Sequence, residues 1–380
     1  MKYRRISADC HIDLPWLPAD LFVSEAPPAL RSRMPRVVQD ENGPRWITAD
    51  GRHFGFVNGV GPRGNPYVPG RNAQTDRMAA TGLYEDGKKG IRRCTDPHLR
   101  LRDMKEDGID AEVIYGILGV AGRVGDAGVF DVMARIYNDW LRDFCSHYPD
   151  RHIGLASLPY GNIDETVAEV YRVARLGFKG IELACSFDME PLCLPAWDAL
   201  WRAVHEVDIP LHVHTTLPCP WDYPERFEGR TRRAVLFMIE GIFQIPSARN
   251  LGAMIGAGIF DSYPNIRIVF GESGIGWIPY VLRRLDFEYD KAFRDLDLAL
   301  KPSEYWHRHC HATFQHDPVG IELLSAIGDH TVMWGADYPH ADGLWPGSTD
   351  SLTQEFHDLP ESVVRNITCE NAARLYRLDS

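Results

Sequence analysis

Asp9, His11 and Asp13 stand on alternate positions of the stretch ISADCHIDLPW, residues 6–16. If residues 6–12 form a strand, its two-residue period turns all three to one side and Cys10 to the other. Carboxylate oxygens and imidazole nitrogens gathered this way are ligands for a borderline divalent ion. A single exposed Asp would need no such explanation, so the reading depends on partners elsewhere. Partners are present. His212 and His214 share one face of IPLHVHTT (209–216), Glu272 closes the apolar run of NIRIVFGES (265–273), and Asp337 closes that of MWGADYPH (333–340), with His340 just beyond it. His214 lies nearer the carboxyl end and is placed for chemistry, whereas His212 reads as a hydrogen-bonded core histidine. None of these positions is a thiolate, which favours a catalytic centre with an open coordination position over a closed structural one. Trp221, Tyr223 and Trp345 are of a size to line an aromatic pocket, but ordinary packing is the better default for each.

Such residues can meet only if the fold brings strand ends together. From residue 109 onward, apolar runs of strand length alternate with stretches of helical spacing. The strand candidates are 109–116, 152–159, 178–186, 209–216, 265–273, 309–314 and 330–340, and the opening segment makes the eighth. Between them, DVMARIYNDWLRDFCSHY, DETVAEVYRVARLG, LPAWDALWRAVHEV and WIPYVLRRLDFEYDKAF read as amphipathic helices. Eight β/α repeats predict a (β/α)₈ TIM barrel, whose strands converge at their carboxyl ends. Asp9, His11, His214, Glu272 and Asp337 would then lie at one mouth. The segment 14–108, rich in Pro, Gly and Arg, is far longer than an ordinary βα loop and is expected to be a substrate lid or a subunit-contact arm.

Composition narrows the partners. With 380 residues, 44% of them hydrophobic, and a formal net charge of −12, the chain can fill a large core and carries no basic block for nucleic acid or an anionic membrane. A small-molecule substrate is expected. The amino terminus reaches acidic and imidazole groups before any leader-length apolar stretch, and the eight cysteines form no CxxC pair, so a cytoplasmic protein with reduced thiols is expected. The most apolar window, AVLFMIEGIFQI (234–245), is too short to span a bilayer and reads as a buried helix.

SADCHID, PLHVHTT, YPNIRIVFGESGIGWIPYVLRRLD, MWGADYPHADGLWP and the terminal ITCENAARLYRL together resemble the amidohydrolase-related family that includes aminocarboxymuconate semialdehyde decarboxylase and the aromatic-acid decarboxylases. The resemblance runs over almost the whole chain. It implies a distorted barrel formed by a single domain over 1–380, one divalent metal ion, zinc or manganese, and a homodimer. The family's first-strand ligand pair matches Asp9 with His11, or His11 with Asp13 in the other register. Its fifth-strand ligand matches His214, and its aspartate after the eighth strand matches Asp337. Where its decarboxylases often carry a histidine after the sixth strand, this chain has Glu272.

That substitution favours a metal-dependent hydrolase acting on a small cyclic or aromatic amide, lactone or related carbonyl compound. Asp337 would orient and deprotonate a metal-activated water, Glu272 would protonate the leaving group, and His340 would donate to Asp337 or to substrate. The second reading is a non-oxidative decarboxylase of a small aromatic or muconate-type acid on the same scaffold. The third is a barrel that binds a ligand without chemistry.

Overall fold

The computed structural model describes residues 2–61, 63–117, 120–183, 189–214 and 222–378. Strand β1 (Ile6–His11) leads into the long excursion, which carries an antiparallel sheet of β2 (Arg36–Asp40), β3 (Gly43–Ile47) and β4 (His53–Phe56). Parallel strands follow: β5 (Ala111–Tyr115), β6 (His152–Gly154), β7 (Ala156–Leu158), β8 (Ile181–Leu183), β9 (Leu211–His214), β10 (Ile268–Gly271), β11 (Cys310–Phe314) and β12 (Val332–Trp334).

These form two parallel sheets, β1-β5-β6 and β12-β11-β10-β9-β8-β7, whose edges meet. On one side only Leu155 separates β6 from β7. Its amide bonds to Ile114 O, while that of Ala156 bonds to Gly180 O, so one segment serves both sheets. On the other side Cys10 bridges Tyr338 in parallel, and the His11 amide donates to Tyr338 O at 2.7 Å. With β6 and β7 taken as one strand, the ring has the eight parallel members of a TIM barrel. Close approach at the second seam depends on Gly335, where a Cβ would lie 2.4 Å from Asp9 Cβ.

Helices cover the ring for the reason their spacing predicts. The helix Ala127–Ser146 is capped by Asp126, whose side chain accepts from the Val129 amide, and it buries Phe130, Met133, Tyr137, Leu141 and Phe144 at intervals of three and four. Between the ring and the covering helix Pro97–Glu106 a buried charge is paired. Arg100, fully buried, donates to both oxygens of Glu112 (2.6 and 2.8 Å) and to the carbonyls of His11 and Cys94. The arginine thereby ties the excursion to β1 and β5. The excursion also packs Trp16, Met78, Leu83 and Tyr84 with Cys10, Tyr338 and Trp345 in a separate cluster.

Two expectations are corrected or bounded here. The window 234–245 is helical as far as Ile242, in the helix Gly229–Ile242, but it is not a buried helix: Ile239 is the one buried residue of that helix and Phe237 is 82% exposed. Apolarity alone does not say whether the covering surface comes from the same chain. Cys10 does face away from Asp9 and His11, with Sγ 3.1 Å from Ser7 Oγ, and the six cysteines among the described residues are all unpaired thiols. Cys185, Cys219 and Trp221 lie outside the described residues.

Candidate metal centre

The ends of β1, β9, β10 and β12 deliver the site. Asp9 and His11 come from β1 itself, His214 is the last residue of β9, Glu272 follows β10 and Asp337 follows β12. All five are buried. His11 Nε2 lies 3.1 Å from Asp9 Oδ1 and 3.2 Å from Asp337 Oδ1. His214 Nε2 lies 3.9 Å from Asp9 Oδ1 and 3.4 Å from Glu272 Oε2. Room for this cluster requires Gly271, where a Cβ would meet His214 Cδ2 at 2.7 Å and Tyr115 Oη at 2.8 Å.

The donor set fits a divalent cation. Asp9 Oδ1, His11 Nε2 and both oxygens of Asp337 are buried without a hydrogen-bond partner, although they crowd together. Buried polar atoms left in this way are costly. Ligands held ~2.1 Å from a common ion sit about 3 Å apart, which is the spacing seen here. Ligand-capable atoms converge in two overlapping groups, Asp9, His11 and His214, and His11, Glu272, Asp337 and His340.

The surrounding groups fix these atoms. The other Asp9 oxygen accepts from the Glu272 amide (2.9 Å) and from Thr313 Oγ1 (2.5 Å), so Oδ1 is left to face the cluster. Asp13 does not join the ligand groups. Its Oδ2 lies 2.6 Å from His340 Nε2, and His340 Nδ1 lies 3.1 Å from Asp337 Oδ1, so the imidazole is clamped between two carboxylates and stacked on His11 at 4.0 Å. Of the two registers left open by the sequence, the structure brings together Asp9 and His11. Asp13 follows β1, where alternation has ended.

Electrostatics separate the carboxyl groups. Burial alone would raise Asp337, but His340 and His11 outweigh it and hold Asp337 well below the usual carboxylate range. Glu272 goes the other way: burial first, then the charges of Asp337 and Asp342, push it well above that range. Burial and His340 lower His11, yet the carboxylates of Asp337 and Asp9 close beside it bring it to about 9. His340 is lowered by burial and raised further by Asp337 and Asp13, so it ends well above its ordinary value. Two carboxyl groups with opposed tendencies are the usual setting for acid and base roles.

Glu272 (φ 49°) and Asp337 (φ 55°) also both adopt the left-handed backbone conformation, uncommon for residues with a side chain and concentrated at functional sites. Sequence reasoning missed this, along with Thr313 and the clamp by Asp13. The only available signal was that Thr313 and Asp13 stand near strand ends. His212 lies deeper, between Tyr115 Oη (2.7 Å) and Tyr376 Oη (3.3 Å), and burial keeps it neutral. Trp345 packs edge-on to Tyr338, and Tyr223 packs against Phe227, so neither is assigned to the site.

With this geometry established, similarity to known proteins can be weighed. The chain is 24% identical over 294 residues to 2-amino-3-carboxymuconate-6-semialdehyde decarboxylase of Dictyostelium discoideum, covering 75% of this chain and 78% of that protein. An amidohydrolase from Mycobacterium avium subsp. paratuberculosis superposes with a TM-score of 0.77 at 20% identity, covering 99% of this chain and 98% of that one. A 5-carboxyvanillate decarboxylase from Novosphingobium aromaticivorans, solved with manganese and 4-hydroxy-3-methoxy-5-nitrobenzoic acid, superposes with a TM-score of 0.63 at 25% identity, covering 79% and 87%. These decarboxylases fit the second functional reading better than the hydrolase reading. The sequence profile of the amidohydrolase family matches residues 8–378, from the first ligand strand to the last helix, and the chain belongs to that family.

Proposed function

We propose that this protein is a metal-dependent, non-oxidative decarboxylase of a small aromatic acid. The reading is supported by relatives that are decarboxylases together with a buried site able to hold a divalent ion. Asp9, His11, His214 and Asp337 converge in it, and a buried carboxyl group, Glu272, stands beside them. Those four residues would hold one divalent ion, manganese or zinc, which supplies a Lewis acid for the substrate's carboxylate and neighbouring oxygen. Manganese is favoured by its presence in the carboxyvanillate enzyme.

The protein groups divide the remaining work. Glu272, buried beside the ligands, delivers a proton to the ring carbon that bears the carboxylate. The bond from that carbon to the carboxyl carbon then breaks, its electron pair returns to the ring, CO₂ departs, and water reprotonates Glu272. His340, held cationic between Asp13 and Asp337, keeps Asp337 ionised and oriented. A hydrolase reading asks Glu272 to protonate a leaving group instead, and the family relatives described above give it less support.

The test is a screen of ortho-hydroxylated benzoic acids, with lactones and cyclic amides in parallel, using protein stripped by a chelator and reloaded with manganese or zinc. The expected result is metal-dependent CO₂ release from at least one aromatic acid. Turnover of a lactone or amide, with no CO₂ from any acid, would overturn the proposal.

A further inference from the structure

Deeper in the ring than the candidate metal centre, four hydroxyl and imidazole side chains are almost wholly buried: Thr313, Tyr115, His212 and Tyr376. Tyr376 follows the last helix, Asn371–Leu375, which packs with Ile6 and Ala111, the first residues of β1 and β5. The four form one line. Tyr376 Oη lies 3.3 Å from His212 Nε2, and His212 Nδ1 lies 2.7 Å from Tyr115 Oη. Tyr115 is hydrogen-bonded to Thr313, whose Oγ1 lies 2.5 Å from Asp9 Oδ2.

Counting protons fixes the direction of this line. An Asp9 carboxylate that holds a cation is ionised and only accepts, so Thr313 gives Asp9 its single proton. Thr313 Oγ1 then accepts from the Glu272 amide (2.7 Å) and from Tyr115. Tyr115, its proton directed at Thr313, accepts from His212, which must carry its own proton on Nδ1. Burial keeps that ring neutral, so Nε2 is bare and Tyr376 donates to it. Burial and then the charge of Asp9 raise both tyrosines well above their ordinary range, so both keep their protons.

We propose that Tyr376, His212, Tyr115 and Thr313 form a one-way donor chain that ends on Asp9, and that His212, protonated at Nδ1, is a positioning residue for this ligand. Donors aligned in this way polarise one another. Held at Oδ2, the carboxylate turns Oδ1 to the cluster, and groups that orient a ligand usually matter to metal affinity. The last helix supplies the first donor, so its docking is linked to metal binding. The proposal rests on Asp9 being a ligand of the ion and not on which reaction the site performs. Buried polar atoms that merely satisfy one another would leave metal affinity indifferent to Tyr376.

Manganese titration of the full chain after chelator treatment tests this. Thr313→Val should weaken binding about 10- to 100-fold, while Thr313→Ser, which keeps the donor, should bind as the unmodified chain does. Tyr376→Phe should weaken binding less, roughly 2- to 10-fold, and should add nothing in the Thr313→Val background, where the chain is already cut. An unchanged affinity in Tyr376→Phe, or an equal loss in both backgrounds, would overturn the proposal. Should Thr313→Val lose its fold, the tautomer of His212 decides. Spectra of ¹⁵N-histidine-labelled protein, with and without zinc, should show one neutral imidazole protonated at Nδ1 whose bare Nε2 shifts in Tyr376→Phe. A proton found on that Nε2 would overturn the proposal. The expected tautomer in a chain that binds neither metal would instead overturn Asp9 as a ligand, and the metal centre with it.

Discussion

At the scale of single residues, Glu272 separates the two reactions that one metal-holding barrel could support. Glu272→Gln keeps the shape and removes the transferable proton, so metal content should be retained while turnover falls on the order of 10²- to 10⁴-fold. Elemental analysis and a rate assay on the same sample check this. Loss of metal together with rate would instead place Glu272 among the ligands. Asp13 provides a finer test. It touches no ligand directly but holds His340 at 2.6 Å, and His340 faces Asp337. Asp13→Asn should weaken metal affinity or activity by about 10- to 100-fold, the usual cost of losing a group that orients a ligand. Unchanged titration with manganese and an unchanged rate would show the clamp to be ornamental. Asp9, His11, His214 and Asp337 were legible in the sequence because each stands at the end of an apolar run. Asp13 was legible only as an alternative ligand, since its partner lies 327 residues away.

At the scale of elements, the ring depends on the buried pair of Arg100 and Glu112, which joins the excursion to β1 and β5. Arg100→Ala would leave the Glu112 carboxylate buried beside His152 without its cation, and should cost about 3–5 kcal/mol in urea denaturation. Burial pushes Glu112 up, but Arg100 and His152 outweigh it and hold it at about 2, against an ordinary 4.5. A carboxylate depressed by folding stabilises the folded state fully above its ordinary value and loses that contribution as pH falls through the folded one. Stability should therefore decline between pH 4.5 and pH 2, less steeply in Arg100→Ala. A variant with wild-type acid sensitivity would contradict this assignment. The strands were legible from apolar runs, and β5, β9, β10 and β11 fall inside the predicted segments. The antiparallel sheet β2-β3-β4 was not, because short runs interrupted by Gly, Pro and Arg carry no clear period. Nor was the left-handed backbone at Glu272 and Asp337, which tertiary contacts impose and neither residue type announces.

At the scale of the whole molecule, the eightfold β/α rhythm was readable because each repeat must bury its own apolar face. The exposure of the helix Gly229–Ile242 was not, because apolar composition alone does not fix burial. The same limit applied to the reaction: the ligand set is common to both chemistries, and the relatives turned the balance toward decarboxylation. The most direct test is to run the reaction with an accepted aromatic acid in deuterium oxide, and separately in ¹⁸O-labelled water, and to analyse the organic product. Protonation by Glu272 followed by loss of CO₂ predicts one deuterium at the carbon that bore the carboxylate and no solvent oxygen in the organic product. Solvent oxygen incorporated there, with all carbon retained, would contradict the account and return the site to hydrolysis.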